Sequence, residues 1–256
     1  MATLTRALQQ NSWLIYATLF LALAALLVFS PAEARLGDVV KIVYAHGAAE
    51  RVATYAYLIA GGLGLVSLVL RASSAKQSPI RDSEIASSHP STPQQKRAAP
   101  LRTLLAMTIA AWTRAIAEIA IVFWLAHIVI SAPAQVLAWG AFTLSEPRVA
   151  SALVVLIATA LVYVVARWLG DPTWLALAAI ANAAILVIGL RGAINILHPV
   201  DPIVGSDSPA IKVFYAAIVV VAGLLALQMA RERARSLRRF PSTPLRSAQD
   251  EPSQGW

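Results

Sequence analysis

The sequence predicts an all-α, polytopic membrane protein: a bundle of six transmembrane helices with both termini in the cytoplasm. Three observations predict it. Of 256 residues, 58% are hydrophobic and only 13% charged, about half the charged share of a soluble domain, and the mean hydropathy is +0.67. The apolar residues gather in blocks long enough for a helix, rising 1.5 Å per residue, to cross a hydrocarbon core about 30 Å thick. Blocks such as WLIYATLFLALAALLVF lack the in-out alternation that a barrel strand of about 10 residues requires.

The candidate spans are Trp13 to Phe29, Arg51 to Leu70, Leu104 to Ile130, Ala150 to Trp168, Trp174 to Leu190 and Val213 to Met229. The first follows a basic start and precedes Ala32-Glu33-Ala34, a pattern shared with cleavable signal peptides; its apolar stretch is long for one, and it is read as a retained span. The second contains GGLGL, Gly61 to Leu65. Without a following Lys-Ser/Thr this is no phosphate loop, and its small residues are expected to let another helix approach closely. No ATP site is expected on this chain. The third span carries Arg114 and Glu118, four apart on one face and expected to pair. About two turns further on comes His127, expected to bond to a neighbouring span. Trp13, Trp168 and Trp174, near span ends, read as interfacial aromatics.

Between spans two and three, Ala72 to Pro100 is rich in Ser, Pro and charge and has no apolar face. It is expected to be a disordered cytoplasmic linker in which His89 holds no fixed geometry. Arg231 to Trp256 is first basic, then polar, and is expected to be a disordered cytoplasmic tail. Cationic loops stay inside. The linker with Arg71, Lys76, Arg81, Lys96, Arg97 and Arg102, the turn with Arg167, and the arginine-rich tail therefore face the cytoplasm, opposite loops holding Arg35, Lys41, Arg51, Arg148, Arg191 and Lys212. A plasma (inner) membrane location is expected. The basic charge serves topology, and no nucleic-acid partner is expected.

This topology places three features outside. KIVYAHGA puts His46 in the loop leading into span two, LAWGAFTLSEPRVAS fills the loop between spans three and four, and INILHPVDP puts His198 in the loop before span six. Neutral imidazole is a common ligand of haem iron, porphyrin faces favour aromatic surface, and propionates favour arginine. Trp139, Phe142, Arg51, Arg148 and Arg191 can supply these. The absence of cysteine excludes disulfides, thiolate metal sites and covalent haem attachment.

In their order, KIVYAHGA, AEI in span three, WGAFTLSEPR and NILHP resemble the cytochrome c assembly family, in particular its heme exporter C group. The similarity runs from about Val39 to His198, linker excluded. It implies six spans, a histidine in each of two external loops, and a tryptophan-rich loop between them that presents haem to a haem chaperone. By position, His46 and His198 match the family's iron ligands, Trp139 and Gly140 the opening of the tryptophan-rich motif, and Glu146 and Arg148 its closing acid and arginine. The sequence departs from the family pattern at Phe142, Thr143 and Ser145, where the family has tryptophans, and at Ala193 and Ile194 before the second histidine.

The resemblance implies a non-enzymatic, haem-handling protein of cytochrome c biogenesis. It would hold haem b transiently and non-covalently at the outer face, for a haem chaperone or apocytochrome, beside ATP-binding-cassette haem-export subunits. His46 and His198 would ligate iron, Trp139 and Phe142 flank the ring, Arg148 meet a propionate, and Glu146 steady Arg148 or a ligand histidine. The alternative is a membrane scaffold subunit with the same bundle that no longer binds haem. A small-solute transporter would prefer broken helices and more mid-membrane polar groups than Arg114, Glu118 and Asn182.

Overall fold

Hydrocarbon offers no partner for a backbone N–H or C=O, so a chain this apolar must satisfy those groups within helices. The computed structural model describes residues 12–34, 36–75, 93–192, 203 and 205–239. It consists of α1 (Ser12–Phe29), α2 (Val40–Ala75), α3 (Pro93–Trp139), α4 (Pro147–Leu169), α5 (Pro172–Gly192) and α6 (Pro209–Arg239). All six are long and apolar enough to cross a membrane, and the chain is a multi-pass membrane protein. Among the described residues there is no strand, only an isolated bridge between Glu33 and Gly37.

Each helix outruns its apolar block, because hydropathy marks the lipid-buried part and not the helix ends. For the site the difference that matters is in α2, which starts at Val40 instead of Arg51 and so takes His46 out of the expected loop and into a helix. Helix α3 begins at Pro93 and α2 ends at Ala75, so part of the expected linker is helical; residues 76–92, with His89, lie outside the described residues. Helix α6 runs on through Arg239, arginine being a good helix former. Helix α3 stops at Trp139, where Gly140 takes φ +79° and its N–H bonds back to Val136 O at 2.9 Å, the left-handed cap that glycine adopts without strain.

Helix α2 is central and packs most extensively along α3, then on α5 and α6. The glycines of α2 set the α5 contact: a Cβ on Gly61 would lie 2.8 Å from Ala183 Cβ, and one on Gly64 2.7 Å from the Ala176 carbonyl. Close approach by small residues is as expected. Trp124, Tyr57, Val155 and Leu186 are fully buried at the centre. Polar groups within the spans pair across helices: Trp124 Nε1 donates to Ala152 O at 2.9 Å, Tyr57 Oη and Thr159 Oγ1 are 2.9 Å apart, and Asn182 Nδ2 donates to Thr159 O at 3.2 Å. Such pairing removes the cost of unpaired polar groups in hydrocarbon.

Helix α1 is the peripheral member, with no fully buried residue, and leans on α6 and α2. Its Tyr16 hydroxyl donates to Glu232 of α6 at 2.9 Å, so the start of the first helix and the end of the last share one end of the bundle. At that end Arg114 and Glu118 form the expected ion pair, 3.0 Å apart. Tyr163 of α4 and Arg233 of α6 also donate to the Glu118 carboxylate, so one acid ties three helices together.

Candidate functional site

A cavity of about 1080 Å³ opens at the opposite end, among α2, α3, α4, the end of α5 and the start of α6. The connections around residues 32–36, 142–144 and 203–208 form its rim, and Trp124 and Val155 lie deeper. Its size sits at the upper limit of the roughly 300–1,000 Å³ usual for cofactor pockets. Six of the residues singled out in the sequence line it: His46, Arg51, His127, Trp139, Phe142 and Arg148.

Trp139 and Phe142 are 47% and 40% exposed, enough ring surface to receive a flat ligand. Each comes from the end of α3 or the turn after its glycine cap, so the αL residue Gly140 sets their relative placement. Arg148 stands exposed in the first turn of α4, while Arg191, exposed at the end of α5, is not part of the cavity wall. His198 lies outside the described residues, as do Ala193 and Ile194. Leu190, near the end of α5, and Ile203 both line the cavity.

Glu146 departs from expectation. Its Oε2 accepts the Val149 N–H at 2.8 Å, which makes it the N-cap of α4 ahead of Pro147. A carboxylate at a helix start satisfies an otherwise orphaned N–H and meets the positive end of the helix dipole, so it is drawn into the helix instead of toward Arg148 or a histidine. Its other oxygen is buried without a hydrogen-bond partner.

His127 is bonded to a neighbouring span, as expected, and that neighbour is His46. Their rings stack at 4.3 Å between centroids with 23° between planes. His46 Nδ1 lies 3.3 Å from His127 O, and His127 Nδ1 lies 3.5 Å from His46 O. Each Nδ1 is thus directed to the backbone carbonyl of the other residue, a contact that an Nδ1–H makes as donor. His127 is buried and also touches Trp124, with ring centroids 5.1 Å apart.

The stack decides one point about haem. Metal–nitrogen bonds of about 2.0 Å would put two axial nitrogens about 4 Å apart with the porphyrin between them, and the ring centres further apart still. Rings stacked at 4.3 Å leave no room for a macrocycle. His46 and His127 are therefore not the two axial ligands of one haem in this arrangement. A six-coordinate haem on His46 would need its second ligand from elsewhere.

Glu50 was not singled out in the sequence, yet it lines the cavity one turn after His46. The i, i+4 spacing was readable in HGAAE once that stretch is taken as helix. Ser131 and Gln135, bonded to each other at 3.0 Å, were missed as well.

Fold and cavity together define a multi-pass helical membrane protein with an imidazole- and arginine-bearing pocket at one end of its bundle. No family model matches the chain, and no curated protein matches it.

Proposed function

We propose that the chain handles haem for cytochrome c biogenesis, holding haem b non-covalently in this cavity at the outer face of a plasma (inner) membrane. The observation that carries the reading is that His46, Trp139, Phe142 and Arg148, distributed over α2, α3, the α3–α4 connection and the start of α4, line one cavity. Of these, His46, Trp139 and Arg148 match positions in the motifs of the cytochrome c assembly family, and Phe142 stands where that family has a tryptophan. Haem is a flat apolar ring with two carboxylates at one edge. The exposed faces of Trp139 and Phe142 suit the ring, and Arg148 and Arg51 suit the propionates. His46 offers an imidazole nitrogen to iron, and His198 is the second ligand in this reading, lying in the sequence between Leu190 and Ile203, which line the cavity. Haem is cargo here, and no covalent bond changes. A haem chaperone or apocytochrome receives it, and ATP-binding-cassette subunits supply energy that a chain without a phosphate loop cannot. The outer placement and the cytoplasmic termini rest on the distribution of arginine and lysine.

Titration of the purified chain with ferric haem tests the reading. Saturation near one haem per chain is expected, with Phe142→Ala and Arg148→Ala each weakening uptake about fivefold, as loss of a contact worth about 1 kcal/mol would. Uptake that does not saturate, or that ignores both substitutions and His46→Ala, would instead support a scaffold subunit that retains the bundle without haem.

A further inference from the structure

We propose that His46, Glu50 and His127 form a binding site for a divalent first-row transition ion, opening into the cavity. One ligand atom from each of the three lies within 4.8 Å of the other two. A tetrahedral ion with bonds of about 2.1 Å would hold its ligand atoms about 3.4 Å apart, so modest side-chain rotation closes the set. His46 and Glu50 are one turn apart on α2 and share a face. His127 reaches them from α3 through the ring stack.

The stack excludes trans coordination of haem iron but keeps the two imidazoles adjacent, and tilting the rings from their 23° interplanar angle turns a nitrogen of each toward one shared small ion. The environment of each ring agrees. Metal-ligating histidines ordinarily donate their other N–H to a carbonyl or carboxylate, which fixes the tautomer. Here each histidine points Nδ1 at the other's backbone carbonyl, at 3.3 and 3.5 Å.

Two imidazoles and one carboxylate are a zinc or ferrous donor set with positions left over for water or substrate. Calcium and magnesium, which take oxygen ligands, are disfavoured. All three residues line the cavity, so the open positions face its interior. The carboxylate also offsets positive charge that an ion would bring near Arg51 and Arg148, which line the same space. The site stands independently of the haem reading, although His46 cannot serve both ligands at once.

The test uses the full chain, purified in detergent, freed of metal and without haem. Zinc is titrated calorimetrically, and cobalt is followed by its visible ligand-field bands. About one equivalent should bind, with His127→Ala and Glu50→Gln each weakening zinc at least tenfold, and neither His89→Ala nor His198→Ala altering it. Glu50→Gln is nearly isosteric at a half-buried position, so its fold is expected to persist, checked by helical circular dichroism and elution volume. Zinc affinity unchanged in Glu50→Gln/His127→Ala, or lost in His198→Ala with the cluster intact, overturns the proposal. Since no haem is present, failure here leaves the haem reading standing, and failure of haem uptake leaves this site standing.

Discussion

Replacing Glu118 with leucine should be among the most damaging single changes in the bundle. The carboxylate pairs with Arg114 at 3.0 Å and also accepts from Tyr163 and Arg233. The Glu118 and Arg114 side chains are only 18% and 14% exposed, whereas Arg233 is 40% exposed. Arg233 can turn to water, so its share is close to that of a surface pair, about 0–1 kcal/mol. Arg114 cannot, and breaking a buried pair from one side costs roughly 3–5 kcal/mol, much of it from the charge left behind. Glu118→Leu should therefore cost about 3–5 kcal/mol, and Glu118→Gln, which keeps an acceptor oxygen, about half as much. Thermal unfolding in detergent, followed by tryptophan fluorescence, should show a fall on the order of 10 °C for leucine, at roughly 2–4 °C per kcal/mol in a chain of this size. Asp171→Asn is the control: its side chain is 56% exposed and lies 3.7 Å from Arg71. A Glu118→Leu shift no larger than the control's would refute the view that this acid ties α3, α4 and α6 together.

Two further outcomes are expected. Gly64→Ala and Gly61→Ala should each destabilise by about 1–3 kcal/mol, since the added Cβ would lie 2.7 Å from the Ala176 carbonyl or 2.8 Å from Ala183 Cβ. Gly62→Ala, with nothing within 4 Å of its added Cβ, should be neutral or slightly stabilising in the same unfolding measurement. The chain lacks cysteine, so a single cysteine at Thr143 should react with an impermeant thiol reagent in intact cells, and one at Ser87 only after lysis. The reverse pattern would put the cavity on the cytoplasmic side.

Six helices, the Arg114–Glu118 pair and the close-packing glycines were legible because each is a local pattern of length, spacing or side-chain size. The start of α2 was not. Lys41, His46, Glu50 and Arg51 dilute its hydropathy, so a helical segment reads as a loop and the one-turn relation of His46 to Glu50 disappears. The stack of His46 on His127 joins residues 81 apart in sequence and has no local signature. The same holds for Tyr163 and Arg233 converging on Glu118. Glu146 is a different case: an acid directly before proline at a helix start is a readable cap, but the resemblance had drawn it toward the haem edge. Trp139, Phe142 and Arg148 reach the cavity because a glycine cap and a short turn bring the end of α3 beside the start of α4, and their grouping was visible as one continuous stretch.

The proposed function requires that the cavity bind haem through His46 and His198 while His127 stays a packing neighbour toward iron. The absorption spectrum of haem-loaded protein, wild type beside His46→Ala, His198→Ala and His127→Ala, tests it most directly. A low-spin b-type spectrum is expected for the wild type and for His127→Ala, with conversion to high spin or loss of haem in the other two. Loss of haem in His127→Ala alone, with both other variants retaining a low-spin spectrum, would contradict the claim.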